Sequence, residues 1–245
     1  MKYVYQSDKG KIRQLNEDAV TVIPRKEALL AVVADGMGGH QAGDIASKLT
    51  IEQLEKLWTN ADVHELDFKK WLASSIKEVN NLVYQKAQSD SSYQGMGTTV
   101  VAAVCTEKDL IIGHIGDSRA YLISKAEWKQ VTEDHSLVGE LVRSGQLSKE
   151  DAQLHPKRNV ILKALGTEPD LEPDIFHSDW EGFDRLLICS DGLTNKVSDQ
   201  ELHDVICDTS LDNLGQTLVD LANERGGEDN ITLAIVDQQE EVGDV

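Results

Sequence analysis

The sequence is poor in cysteine and in basic charge, and it has no long apolar run. Its three cysteines, Cys105, Cys189 and Cys207, are an odd number, form no C-x-x-C pair and each sit in an apolar stretch. That pattern excludes a disulfide framework and reads as small buried hydrophobes in a reducing compartment. No apolar segment approaches the ~20 residues needed to span a bilayer. The first residues, MKYVYQSDKGKIRQ, lack the apolar core of a secretory signal. A soluble, cytoplasmic protein with no membrane insertion is expected. Internal repeats, low-complexity tracts and Pro- or Gly-rich linkers are also missing. Basic residues number 24 against 43 acidic ones, for a net charge of −19. Such a surface repels nucleic-acid phosphates and anionic lipid heads, so no nucleic acid is expected among the partners. Divalent cations are not repelled. Solubility alone accounts for most exposed acids.

What is present fits one domain. The 245 residues are long enough for a substantial core, and 40% apolar with 27% charged residues is ordinary for a globular enzyme. The domain is expected over 1–240, with a polar, acidic tail from Gln238 disordered and 241–245 outside the domain. Short apolar runs of strand length end repeatedly at an aspartate. Leu29–Ala34 runs into Asp35-Gly36, Leu110–Gly116 into Asp117-Ser118, and Leu186–Ser190 into Asp191-Gly192, while Asp229-Asn230 opens Ile231–Val236. The middle of the chain, Thr98–Cys105, Asp109–Ile115, Arg119–Ser124 and Trp128–Thr132, reads as an antiparallel meander, because the connections are too short for helical crossovers. Helical spacing covers Ala42–Trp58 and Phe68–Gln88, and returns near Asp199–Ile206 and Leu211–Asn223. Between 136 and 174 the strand series is interrupted by short helical patterns with polar starts, at Ser136–Val142 and from Ser148, which suggests an inserted flap.

One Asp-Gly is a common turn. Four strand-end aspartates, together with Asn16-Glu17-Asp18, ask for more. Carboxylates that converge at one sheet rim repel each other unless cations sit between them. Mg²⁺ and Mn²⁺ take oxygen ligands and keep several waters, whereas no Cys/His grouping suits zinc as well. Two such metals can share and acidify a water and stabilise charge on a phosphoryl group. Arg13, just before the Asn-Glu-Asp cluster, is the candidate to hold phosphate oxygens. Gly38-Gly39 lack the GK[ST] ending of a phosphate loop and read as a tight turn beside the metals. A thiol phosphatase needs an arginine six residues after its cysteine. Asn195, Ile111 and Asn213 stand there instead, after Cys189, Cys105 and Cys207.

Arg13-x-x-Asn16-Glu17-Asp18, Val33-Ala34-Asp35-Gly36-Met37-Gly38-Gly39-His40, Gly95-Met96-Gly97-Thr98-Thr99, Gly116-Asp117-Ser118-Arg119, Ser190-Asp191-Gly192-Leu193 and Gly227-Glu228-Asp229-Asn230-Ile231-Thr232 occur in this order. The set resembles the PP2C-type metal-dependent protein serine/threonine phosphatases, in their compact bacterial branch, over about residues 5 to 236. The resemblance implies an α+β fold, a four-layer αββα sandwich with two central antiparallel sheets flanked by helices, and a flap over 136–174 bordering the substrate groove. It implies two core ions, Mn²⁺ or Mg²⁺, on Asp35, the Gly36 carbonyl, Asp191 and Asp229, with Glu17 and Asp18 acting through bound water. A third ion near the flap would use Asp117 and Asp191, and Arg13 would clasp the phosphate. Animal members carry a histidine straight after the Asp-Gly as a proposed general acid. Here that position is Met37, and His40 is the alternative donor. A general acid contributes roughly 10²–10⁴ of the up to ~10²¹ reached on phosphate monoesters, so the loss is tolerable. A metal-bound water could also protonate the leaving alkoxide.

The expected activity is hydrolysis of phosphoserine and phosphothreonine in proteins by a monomer, with a membrane-anchored Ser/Thr kinase among the partners by resemblance. A pseudophosphatase that only binds a partner is the competing class, but it has no physical reason to keep mutually repelling acids. A sporulation-type regulator shares this fold and chemistry, and the absence of an extra regulatory domain favours a general enzyme. Other histidines read blandly: His114 as a hydrogen-bonded core residue, His135 at a helix-capping turn, and His155 in a surface loop.

Overall fold

In the computed structural model, which describes residues 1–39 and 42–238, the apolar runs form the inner strands of two antiparallel sheets. In chain order the strands are β1 (Lys2–Asp8), β2 (Asp18–Pro24), β3 (Ala28–Met37), β4 (Gly97–Thr98), β5 (Val100–Thr106), β6 (Asp109–Ile115), β7 (Arg119–Ile123), β8 (Trp128–Gln130), β9 (Asp174–Asp179), β10 (Arg185–Cys189) and β11 (Ile231–Asp237). The helices are α1 (Ala42–Asn60), α2 (Phe68–Ser89), α3 (Leu137–Arg143), α4 (Lys149–Leu154), α5 (Asp191–Thr194), α6 (Asp199–Asp208) and α7 (Leu211–Glu224). One sheet has the order β1-β11-β10-β7-β8. The other has β2-β3-β5-β6-β9, with β4 added on β3.

Alternation along each inner strand decides the layering. In β3, Ala28, Leu30, Val32 and Ala34 face α1 and α2, while Leu29, Ala31 and Val33 face the other sheet. In β11, Ile231, Leu233 and Ile235 face α6 and α7, while Ala234 and Val236 face inward. Strands covered on both faces must be apolar at every position, which is why they read as continuous runs despite antiparallel pairing. The expected α+β four-layer sandwich is therefore observed. Burying one such Val, Leu or Ile contributes ~1.5–3 kcal/mol, so these strands are rigid supports for whatever their ends carry.

The helices follow local signals. Asp67 caps α2 by accepting from Lys70 N, Ser136 caps α3 through Gly139 N, and Ser198 with Glu201 forms a capping box on α6. Strands β1, β2 and β9 escape the apolar-run criterion because all three are sheet edges and only partly buried.

The expected meander is corrected. β5 and β6 pair in one sheet and β7 and β8 in the other, with no ladder between β6 and β7. The chain changes sheets at Gly116-Asp117-Ser118, where Gly116 takes φ +114° and a Cβ would fall 2.5 Å from the Thr99 side chain. Cys105 and Cys189 are buried and Cys207 is half-buried, and all are free thiols. Gln238 is not part of a loose tail. It donates its N–H to Asp184 O at 2.9 Å and its side-chain amide to Glu107 O at 3.0 Å. The rest of the expected tail, 239–245, lies outside the described residues.

Trp58 anchors the outer layer. It is fully buried, its indole N–H donates to Ile23 O at 3.1 Å, and its ring lies 5.0 Å from that of Trp71. Trp58→Ala should cost about 3–5 kcal/mol, a large part of the 5–15 kcal/mol typical of a domain. Urea titration should show a lower midpoint with an unchanged slope; an unchanged midpoint would contradict this packing role.

Candidate active site

Strand ends and the turns beside them bring the acids to one end of the sandwich. Asp18 opens β2, Asp35 lies near the end of β3, and the antiparallel register places them opposite each other. Asp191 opens α5 just after β10, Asp229 comes just before β11, and Asp117 sits in the turn after β6. Arg13, Glu17, Asp35, Gly36, Asp117, Asp191 and Asp229 line one open cleft of about 200 Å³, with Met37, Gly38, Asn159, Ile161 and Asn230. Asp18 is not on the cleft wall. It is buried beneath, where its Oδ2 accepts from Ser190 Oγ at 2.7 Å. His40 lies outside the described residues.

A layer of polar side chains fixes these loops. Asn230 accepts the Glu17 N–H at 2.8 Å and donates to Lys9 O at 2.8 Å and Leu15 O at 3.0 Å, pinning segment 9–17 to the Asp229 turn. Asn195 donates to Asp191 Oδ2 at 3.0 Å. Thr99 Oγ1 accepts the Asp35 N–H at 3.0 Å and lies 2.7 Å from Ser118 Oγ, joining the Asp35 strand to the Asp117 turn. Two glycines permit the close approach. A Cβ on Gly36 would fall 2.1 Å from Gly43 O, and one on Gly192 would fall 1.9 Å from Asn230 O. Segments Asn230, Ser190 and Ser118 belong to visible motifs, but their bonding partners are distant in sequence. Asn159 and Ile161 carried no sequence signal as cleft residues.

The electrostatics are strained. Burial pushes the Asp18 carboxyl up to about 7 against the stabilising hydrogen bonds of Ser190 and Thr232. Burial and then the charge of Asp191 push Asp117 up to about 8. Asp35 is raised well above its usual range by burial and by Asp18, Asp191 and Asp117. Asp191 is raised by burial and by the charge of Asp229. Burial raises Glu17, with Arg13 partly offsetting it. Arg13 donates Nη2 to Asp229 Oδ2 at 2.8 Å.

Glu17 Oε1 and Asp117 Oδ1 are buried without any hydrogen-bond partner. Orphaned carboxylate oxygens among repelling acids are the donor set of a hard divalent cation, and no cysteine or histidine lines the cleft among the described residues. Among the described residues, no three His, Cys, Asp or Glu side chains form a ready-made cage. That does not oppose the fit, because Mg²⁺-like ions take only one or two carboxylates and complete their shell with water. The residues present fit such cations.

His114 departs from the expected hydrogen-bonded core histidine. It is buried, and neither ring nitrogen has a partner. Burial and then His135 lower its pKa to about 4, so it packs as a neutral ring, 4.8 Å from the His135 ring. His135 Nδ1 accepts the Gly116 N–H at 3.1 Å, so its proton is on Nε2, which faces Asp174 Oδ2 at 3.1 Å.

Comparison with known proteins gives a consistent pattern. A family model described as Protein phosphatase 2C matches residues 10–225. The serine/threonine phosphatase stp of Listeria monocytogenes is 42% identical over 238 residues, 96% of this chain and 94% of that protein. Protein phosphatase PhpP of Streptococcus pneumoniae is 40% identical, covering 96% of each. The crystal structure of Serine/threonine phosphatase Stp1 from Staphylococcus aureus superposes with a TM-score of 0.93 at 36% identity, covering 98% of this chain and 95% of that one. The catalytic domain of the serine threonine protein phosphatase PstP, solved in complex with 2 manganese ions, gives 0.84 at 33% identity, with 96% and 97% covered.

The raised carboxyls make stability depend on pH. Their folded-state pKa values lie above the unfolded ones, so they stabilise the cation-free fold fully only below about pH 4, and this is lost as pH rises through 7 to 8. His114 and His135, with lowered pKa values, add stability as pH rises but are complete above about 6.5. In chelator, the melting temperature should therefore fall between pH 6.5 and 9, and Mn²⁺ should abolish the fall. A rise across that range in chelator would contradict the carboxylate assignment.

Proposed function

The chain belongs to the protein phosphatase 2C family, and from that premise we propose that it is a metal-dependent phosphatase hydrolysing phosphoserine and phosphothreonine in proteins. One observation carries this reading. Buried, mutually repelling carboxylates from separate strand ends share a cleft with a single exposed arginine. A module that only binds a partner gains nothing from that repulsion, and no observation favours it.

Asp35, the Gly36 carbonyl, Asp191 and Asp229 would hold two core ions, Mn²⁺ or Mg²⁺, and Asp117 with Asp191 would hold a third. Glu17 and the buried Asp18 would support this centre from the side and from beneath. When bound, the cations acidify a water and neutralise charge on the phosphoryl group. Arg13 stands half-exposed at the mouth, its guanidinium fork free to take phosphate oxygens in two parallel hydrogen bonds as it exchanges Asp229 for substrate. Asn230 and Asn195 keep the Glu17, Asp229 and Asp191 carboxylates aimed at the cleft. Met37 lines the cleft at the position where animal members carry a histidine, and a thioether has no proton to give. Segment 136–174, which supplies Asn159 and Ile161, serves as the flap bordering the phosphoprotein groove. The protein acts in the cytoplasm as a monomer and opposes a membrane-anchored Ser/Thr kinase. No described helix is long and apolar enough to cross a membrane.

Phosphate release from a phosphothreonine peptide should require Mn²⁺, stop in chelator, and fall by more than ~100-fold in Asp191→Ala. Arg13→Ala should lower kcat/KM by about 10²–10³. Full activity in chelator, or in Asp191→Ala, would refute the metal mechanism. Phosphopeptides from the kinase should be cleaved; if they are spared while other phosphoproteins are hydrolysed, the kinase pairing is wrong.

A further inference from the structure

The cleft has an acidic floor and a basic, apolar rim, and the rim is unlike the rest of the molecule. Two octapeptides flank the cleft, 9–16 (KGKIRQLN) around Arg13 and 156–163 (PKRNVILK) around Asn159 and Ile161. Each holds three basic residues and no acid, so together they carry six of the 24 basic residues in a chain of net charge −19. Lys9, Lys11, Lys157, Arg158 and Lys163 are exposed, and none forms an ion pair among the described residues. Screening at physiological ionic strength acts over ~8 Å, so a chain lying across these two segments, outside the acidic cleft, meets their basic side chains more than the distant negative charge.

Among the described residues, the same two segments supply four of the eight exposed large hydrophobics, Ile12, Leu15, Val160 and Leu162. Exposed apolar side chains on segments that reach a polar cleft suit a polypeptide better than a sugar or nucleotide phosphate. The rim is also held in place. Lys11 N and Ile12 N donate to Gly227 O at 2.8 and 3.2 Å, Leu162 N donates to His135 O at 2.7 Å, and Val160 O accepts from Leu137 N at 2.8 Å. A preorganised rim binds without the cost of ordering a loop.

We propose that segments 9–16 and 156–163 form a docking rim that selects phosphorylated protein segments carrying acidic side chains, and a large apolar one, next to the phosphoresidue. This rests on the phosphatase reading and adds sequence preference to it. Phosphate enters over the cation-binding floor, and the flanking acids meet the unpaired lysines and Arg158 on either side.

The test uses the Mn²⁺-loaded protein and three phosphothreonine peptides, whose flanks are acidic with leucine, acidic with serine, or basic with leucine. The acidic, leucine-containing peptide should exceed the basic one in kcat/KM by roughly tenfold, and the margin should shrink at high salt. It should also exceed the acidic serine peptide. Lys157→Glu with Arg158→Glu, and separately Lys9→Glu with Lys11→Glu, should each pull the acidic-to-basic ratio toward one. Because the ratio is taken within each variant, a general loss of activity cancels. Equal kcat/KM for the acidic and basic peptides in the unaltered protein, or a ratio that neither variant changes, overturns the proposal. p-Nitrophenyl phosphate, too small to reach the rim, reports separately on the phosphatase reading. If it is not hydrolysed, fluorescence anisotropy of the same peptides, labelled and uncleaved, decides the rim by their relative affinities.

Discussion

The mutual repulsion of carboxylates at one end of the sandwich is the constraint on which the rest of this structure depends. Asp35 is raised by burial and by the charges of Asp18, Asp191, Asp117 and Asp229, so these five carboxyls share one field. Left to themselves such groups would move apart or take up protons. They are kept together because each is tied to an element that cannot move: β3, β10 and β11 are apolar on both faces and buried between layers. The hydrophobic core thus supplies the free energy that holds an unfavourable charge cluster in place, and divalent cations are the natural counter-charge.

Between core and cleft lies a layer of small polar groups and glycines that converts strand position into side-chain position. Asn230 satisfies three backbone groups of the N-terminal segment, Ser190 covers the buried Asp18, and Thr99 with Ser118 links two acidic turns. Gly36 and Gly192 let neighbouring backbones meet at distances any side chain would forbid. None of these residues needs to touch substrate. Their effect is that the carboxylates have few alternative rotamers, and preorganisation of this kind is the main protein contribution to phosphoryl transfer.

The charge pattern is layered as well. Acids line the cleft, Arg13 stands exposed among them, and the two proposed docking segments carry unpaired cations and exposed apolar side chains. An otherwise strongly acidic surface keeps adventitious anions at a distance, while the carboxylates of the cleft attract cations.

Much of this was legible in the residues. Periodicity alone located α1, α2, α6 and α7 within a residue or two, because amphipathic spacing and caps are local properties. The aspartates after apolar runs pointed to a cluster of carboxylates, and the structure gathers Asp35, Asp117, Asp191 and Asp229 in one cleft. Other features depend on contacts between residues far apart in the chain. The β5–β8 stretch looked like one meander, yet it divides between two sheets at Gly116–Ser118, since short turns fix strand direction but not which sheet a hairpin joins. Asp18 looked like its neighbours, but the register with β3 and the Ser190 hydroxyl place it beneath the cleft. His114 looked like a hydrogen-bonded core residue, and packing left both its nitrogens without partners. The sequence by itself determined the apolar strands and helical faces that build the layers, and the inventory of acids. Only the tertiary structure decided which acids face the cleft and which segments form its rim, because convergence is set by sheet order and long-range packing rather than by neighbours along the chain.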